Sequence, residues 1–468
     1  MHRTFARFFS VREARTLIAL GIPVYIAQMA NTGMGVVDTV MTGQASATDM
    51  AAVAVAGAMW WPVAIFGLGV LIALSPLAAQ AVGAGQKGEV PHLIRQGIWC
   101  AGLLCLPLMA ALYAVSHCYG RFGLEPALAA LAGGYTRAIL WGLPGLLLFV
   151  CARSFLEGFS RTRPSMVVSI LGLMLNIPCN YVLIYGKWGF PALGAVGCGV
   201  ATALCFWFMA LCTTAYARRE AKAQGLGPVF SPLWRRGVAQ RVDTACMARI
   251  VRLGLPSALA LLCEVSLFTL SALILAPLGT VTVAGHQVAI SVSSILFVLP
   301  MSLGITTTIR VGHCAGAGQW AQARRVGWTA LTLSLGGGVL AALGLVWLRW
   351  PVVGVYGSDP AVLGLAAHLL LYLAATQAGD AVQAMGVGIL RGYNDTRCIS
   401  WICFIAYCVI GLPLGAVLSR TDWLGQWGAP GFWLAFVVGV AFGAVCYMAR
   451  VLWLQGHDSA WLAARLRR

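Results

Sequence analysis

Three acidic residues sit deep inside apolar runs that otherwise carry no charge: Asp38 in AQMANTGMGVVDTVMTG, Glu264 in GLPSALALLCEVSLFTLSALILA and Asp380 in LLLYLAATQAGDAVQAMGVGIL. A charge at the centre of a membrane helix costs roughly 2.5–3.5 kcal/mol on insertion scales, so three together cost about 8–10 kcal/mol. Residues kept at that cost usually face a water-filled path or an ion. A carboxylate there can hold a cation or exchange a proton, and any function of the chain should be sought at these positions.

The elements that must position the three acids are membrane helices. The chain is 60% hydrophobic and 10% charged, with a mean hydropathy of +0.84. Soluble domains run near 25% charged. One span needs roughly 20 apolar residues. The sequence predicts twelve spans, at 16–40, 50–76, 94–116, 129–151, 165–185, 192–216, 251–277, 282–309, 326–348, 361–389, 399–419 and 430–454. The runs are continuous rather than alternating, which selects helices over a β-barrel. Span one is too long for the apolar core of a cleaved leader, and no small-residue cleavage site follows it, so it is expected to remain as a helix.

A net charge of +17 suggests nucleic acid until it is placed on this topology. Arg3, Arg7, Arg12 and Arg15 precede span one, and the connector between spans six and seven carries eight arginines and lysines, from Arg218 to Arg252. Lys87, Arg95, Arg153, Arg161, Arg163, Arg310, Arg324, Arg325, Arg391, Arg397 and Arg450 fall on the same side, whereas the opposite loops hold Arg121, Lys187, Arg349 and Arg420, with Arg137 near them. This is the positive-inside bias, and it predicts both termini in the cytoplasm and contact with lipid headgroups, not nucleic acid. Arg161, Arg163, Arg391 and Arg397 read as anchors at the cytoplasmic surface. Cys100, Cys105, Cys151, Cys205, Cys212, Cys263, Cys403 and Cys408, among 15 cysteines, lie within spans and form no C-x-x-C pair, so they read as small apolar residues. Seven scattered histidines give no reason to expect a transition-metal site.

The two halves repeat. LGIP at 20–23 recurs as LGLP at 253–256, and GAGQ at 83–86 as GAGQ at 316–319, at one constant offset. FLEGFSRTRPSM at 155–166 matches ILRGYNDTRCIS at 389–400, and KWGFPALGA echoes QWGAPGFWLA. Six spans per half return the chain to the same side, so the halves are parallel repeats around an expected central cavity. The predicted organisation is an N-lobe at 1–216, a connector at 217–250, a C-lobe at 251–454 and a tail at 455–468, all α-helical. Two parallel six-helix lobes point to transport by alternating access. Pro23, Pro62, Pro76, Pro178, Pro256, Pro300 and Pro413 are candidate hinges, although prolines are also tolerated as ordinary kinks in membrane helices.

Four stretches carry a resemblance: PVYIAQMANTGMGVVDTVMTG, the GAGQ loops, AGHQVAISVSSILFVLPMSLG at 284–304 and LRGYNDTR at 390–397. With them the chain resembles the multidrug and toxic compound extrusion family, in its NorM branch, over nearly its whole length. The rival six-plus-six fold, the major facilitator class, normally carries a G-x-x-x-D-R-x-G-R type run between spans two and three, where this chain reads AVGAGQKGEVP. The resemblance implies export of bulky, often cationic, amphipathic drugs, coupled to inward sodium or proton flow. It matches Glu264 and Asp380 to the acidic pair of the second lobe and Asp38 to the first-lobe aspartate. It matches Asn176, Asn180 and Thr202 to polar positions that complete a first-lobe cation site. Four residues before Asp380, where the family has a tyrosine, this chain has Thr376, which puts a phenol contribution at that position in doubt.

The residues themselves agree with this within limits. Asn176 and Asn180 are four apart and share one helix face. With Asp38 and Thr202 they make an all-oxygen set suited to Na+ rather than a soft metal; interhelical hydrogen-bond glue is the alternative. Na+ at Glu264 and Asp380 is the second candidate, against a buried neutral pair with no transport role. Tyr25, Gln28, Met29, Phe155, Phe268, Gln287 and Met301, with His286 beside them, are candidates for a cavity lining that accepts a flat cation; each is also compatible with ordinary packing.

Other classes have weaker support. A flippase for a lipid-linked precursor should show several basic residues facing a cavity, and here they avoid the spans. An enzyme should show a clustered catalytic set, and none is present in the sequence. The expectation is a monomeric transporter of the bacterial inner membrane, without a cofactor, using Na+ or H+ as coupling ion, with small drugs, organic cations and membrane lipids as its partners.

Overall fold

The computed structural model describes residues 9–227, 242–421 and 427–467. Among these residues, twelve helices are long and apolar enough to cross a membrane. They are α1 (Val11–Ala45), α2 (Ala47–Gly83), α3 (Lys87–Arg121), α4 (Pro126–Gly158), α5 (Arg163–Tyr185), α6 (Gly194–Ala223), α7 (Thr244–Leu278), α8 (Thr280–Gly316), α9 (Trp320–Gly354), α10 (Pro360–Gly392), α11 (Arg397–Arg420) and α12 (Gly428–Gln455). A short α13 (Ser459–Arg467) follows. Most helices outrun the apolar segments that predict them, because hydropathy marks only the stretch in hydrocarbon while backbone hydrogen bonding continues beyond it. Pro23, Pro62, Pro178, Pro256 and Pro300 lie within helices. In α11 the backbone runs as a π-helix from Phe404 to Gly411, just before Pro413.

Two of the sequence repeats are helix-ending turns. At GAGQ, Gly85 and Gly318 both take left-handed backbone angles, with φ of 77° and 69°. Gln86 N–H then donates to Ala81 O at 2.9 Å, and Gln319 N–H to Cys314 O at 2.8 Å. This is a Schellman turn, and glycine occupies its left-handed position without steric penalty. The FSRTR and YNDTR repeats build the same turn around Ser160 and Asn394, at φ of 56° and 57°. Arg161 N–H donates to Leu156 O and Asp395 N–H to Leu390 O, each at 2.8 Å.

The chain divides into two compact units, one of Ile22–Ala258 and one that takes the chain through Gly21 and again from Leu259. Here they are called the N-unit and the C-unit. The linear sequence suggests a division at the connector 217–250, but the divisions fall inside α1 and α7, beside the two LGxP repeats. In the C-unit, Glu13 at the start of α1 receives two 2.9 Å hydrogen bonds from Arg310 and one of 2.8 Å from Gln322. Leu17 packs in that unit's core. In the N-unit, Ile250 on α7 joins the other core, and Gly254 lies against the Val70 carbonyl, where a Cβ would collide. A hydropathy profile finds a helix but not its neighbours, so the exchange of these two helix starts is invisible to it.

Candidate functional site

In the N-unit the first acid is enclosed on three sides. Asp38 on α1 is 5% exposed, while Asn176 and Asn180 on α5 are fully buried. Asn176 and Asn180 donate to Asp38 Oδ1 at 3.0 and 2.7 Å. Thr202 on α6 donates to Oδ2 at 2.8 Å. The two asparagines are joined by a 3.2 Å bond from Asn180 Nδ2 to Asn176 Oδ1. Small residues on α6 permit this approach. A Cβ at Gly199 would stand 2.9 Å from the Tyr135 carbonyl oxygen, and one at Gly197 would meet the Leu183 carbonyl. Thus the glycines of GCGVAT let α6 pack closely on α4 and α5, the helix that carries Asn176 and Asn180.

Three donors offset much of the cost of burying an ionised carboxylate. One group is left over: Asn180 Oδ1 is buried and accepts no hydrogen bond. Buried polar atoms are normally paired, so an orphan acceptor one residue from a carboxylate marks a place for a cation or a donor proton. Carboxylate, amide and hydroxyl oxygens are the ligands a hard cation prefers. The residues present therefore fit Na+, and Asp38, Asn176, Asn180 and Thr202 are the ones that would hold it. Cys198, one turn before Thr202 on α6, also bonds to Asp38 and is a neighbour the sequence reading missed.

In the C-unit, Glu264 on α7 and Asp380 on α10 are half-buried and lie within electrostatic reach of one another. Thr376, one turn earlier on α10, donates its hydroxyl to Leu373 O at 2.9 Å. A phenol is supplied from a different helix: Tyr407, in the π-helical stretch of α11, lies within electrostatic reach of both acids. Its hydroxyl donates to Gln383 Oε1 at 2.9 Å, and Gln383 Nε2 donates to Val440 O at 2.7 Å. Arg391, read from the sequence as a surface anchor, is half-buried; its Nε is buried without a hydrogen bond, and its charge lies within electrostatic reach of Glu264 and Tyr447. Tyr407 and Gln383 were findable by the test that found the acids, since both are polar residues inside apolar runs.

The proposed lining residues do not form one group within either unit. Tyr25, Gln28 and Met29 are half-buried in the N-unit; Phe268 and Met301 are half-buried, and Gln287 exposed, in the C-unit. Phe155 is a correction: it is fully buried in the N-unit core, against Phe159 at 5.0 Å between ring centroids, and is not a lining residue. Phe268 lines a small apolar pocket with Leu267, His286, Phe432 and Phe436. Trp433 Nε1 donates to His286 Nδ1 at 3.1 Å. Ser271 Oγ lies 2.9 Å from His286 Nε2 and itself donates to Phe268 O at 2.7 Å. These bonds assign His286 as the neutral Nε2–H tautomer with both nitrogens used, which leaves it no ligand role.

Twelve spans, two units and buried acids at mid-helix define a multi-pass, all-helical membrane protein. A family model described as MatE matches residues 23–182 and 256–417, once in each half. The chain belongs to the MatE family. It is 46% identical over 459 residues to the multidrug resistance protein MdtK of Edwardsiella ictaluri (strain 93-146), covering 98% of this chain and 99% of that one. Among solved structures it is similar to the eukaryotic MATE transporter AtDTX14, with a TM-score of 0.85, 21% identity and 98% of each chain covered. It is also similar to the Vibrio cholerae MATE transporter VcmN in the bent form, with a TM-score of 0.79, 17% identity and coverage of 94% and 97%. At these identities the structural likeness concerns the fold.

Proposed function

We propose that this protein exports bulky, often cationic, amphipathic drugs across the bacterial inner membrane by antiport with Na+ or H+. The observation that carries the reading is the Asp38 cluster: a membrane-buried carboxylate held by two amide N–H donors and one hydroxyl donor, with one orphan acceptor beside it, in a chain 46% identical to a multidrug resistance protein. The acidic pair in the C-unit gives a second place where an ion or proton acts. Buried acids of this kind have few uses other than moving or sensing charge. Cargo export and ion entry are coupled by alternating access.

Efflux of a cationic dye from proteoliposomes, under sodium and proton gradients imposed separately, tests this. At least one inward gradient should drive dye uphill, and dye movement indifferent to both gradients would remove the antiport reading. The orientation follows from the arginine asymmetry, with both termini and the Lys87 and Lys222 loops cytoplasmic and Lys187 outside. In a cysteine-depleted background, Lys87→Cys and Lys187→Cys should react with an impermeant maleimide from opposite sides. Reaction of both from one side would overturn this topology.

A further inference from the structure

Outside the membrane acids, one cluster in the N-unit brings together three different metal-binding side chains. His92 in the first turns of α3, Asp243 just before α7 and Cys246 in its first turn place one nitrogen, one carboxylate oxygen and one sulfur within 4.8 Å of one another. The His92 Nε2 to Asp243 Oδ2 distance is 3.0 Å. In a tetrahedral zinc site, with metal bonds to N and O of about 2.0 Å, that edge is roughly 3.3 Å. Slight opening of this edge and closure of the thiol would complete three ligand positions.

The supporting contacts are also in place. Asp243 Oδ1 accepts the Cys246 backbone N–H at 3.0 Å, which caps the helix and leaves Oδ2 directed at His92. The Asp243 N–H donates to Gln96 Oε1 at 3.1 Å. His92, Gln96 and Cys100 follow one another at steps of four, so one face of α3 meets the start of α7. The His92 and Asp243 side chains are 36% and 40% exposed, which leaves a path for an ion from solution. Arg249 lies within electrostatic reach of the thiol and opposes a bound cation, so affinity has to come from the three direct bonds.

The geometry points to a zinc-class metal site formed by His92, Asp243 and Cys246, with solvent in the fourth position. A nitrogen, oxygen and sulfur set selects a borderline ion such as Zn2+ over Na+, Mg2+ or Ca2+. A bound ion ties the first turn of α7 to α3 within the N-unit. This site is separate from Asp38 and does not depend on the transport reading. Sequence reading missed it because His92 and Asp243 stand 151 residues apart.

The test uses the full-length protein in detergent, freed of metal by a chelator and titrated with Zn2+, then with Co2+ as a spectroscopic probe. Expected are one Zn2+ per chain, a raised melting temperature and a thiolate-to-cobalt charge-transfer band. Cys246→Ser should abolish the band, and Cys246→Ser and His92→Gln should each weaken binding by more than about tenfold. His92→Gln retains a donor for Asp243, so a variant that is folded by gel filtration but no longer binds separates metal ligation from a hydrogen-bonded clamp. Absence of saturable binding by wild type, absence of the band, or equal binding by the folded variants would overturn the proposal.

Discussion

Raising sodium at fixed ionic strength, or lowering pH, is expected to weaken drug binding to the detergent-solubilised protein, and drug is expected to weaken ion binding by the same factor. Uphill export requires the ion and the drug to bias one two-state element in opposite senses, and linkage makes their effects on each other reciprocal. Coupling of this kind is typically about 1–3 kcal/mol, or roughly 5–150-fold in affinity. The C-unit acids show where it would act. Two desolvated carboxylates within reach of one another cannot easily both remain ionised without a positive partner. Glu264 lies within electrostatic reach of the Arg391 charge, whereas Asp380 stands one turn from the neutral Thr376, whose hydroxyl donates to Leu373 O. Asp380, rather than Glu264, is the member we expect to take a proton or a cation. Asp380→Asn should abolish the ion dependence of drug affinity, and Glu264→Gln should keep part of it. Drug affinity independent of both sodium and pH in the wild type, with Asp380→Asn indistinguishable from it, would rule out competition through this pair and shift the weight to Asp38.

Asp38→Asn is expected to insert and fold normally and to lose coupled efflux. Neutralising a charge at mid-membrane removes roughly 2.5–3.5 kcal/mol of insertion cost. The site can absorb the change: the new amide oxygen can accept from Asn176 and Asn180, while its NH2 donates to Thr202, whose hydroxyl accepts as readily as it donates. Charge is then the main thing removed. Thr202→Ala takes one donor from a buried carboxylate, a loss of about 1.5–3 kcal/mol, or roughly 10–150-fold in the equilibria its charge controls. Resistance assays at matched expression read both variants. Wild-type resistance in Asp38→Asn would remove the N-unit cluster from the mechanism.

Much of this was legible in residue types alone. Asp38, Glu264 and Asp380 stand out because charge in hydrocarbon is costly, and that cost does not depend on the neighbours. The 20-residue apolar runs marked the helices for the same reason. GAGQ and FSRTR/YNDTR were visible as repeats, and their left-handed residues are part of that signal, although only coordinates show that each repeat is a helix-ending turn. The placement of Asn176 and Asn180 on one face followed from their spacing, and their grouping with Thr202 was available through family resemblance. Phe155 misled, since an aromatic side chain in a span has the same letter whether it lines a cavity or fills a core.

What the sequence determined by itself was local: twelve helices, two repeated halves and the residues too costly to be incidental. These follow from transfer free energies and helix periodicity, which act within a few turns of chain. The tertiary structure alone decided the rest. It sent the start of α1 into the C-unit and the start of α7 into the N-unit. It set Arg391 and the Tyr407 phenol within electrostatic reach of Glu264, and set His92 against Asp243 and Cys246. Each of these depends on which helix faces which, and that is set by small-residue contacts such as Gly199 on Tyr135 and Gly254 on Val70. Such contacts join positions far apart in the chain, where no periodicity links one to the other.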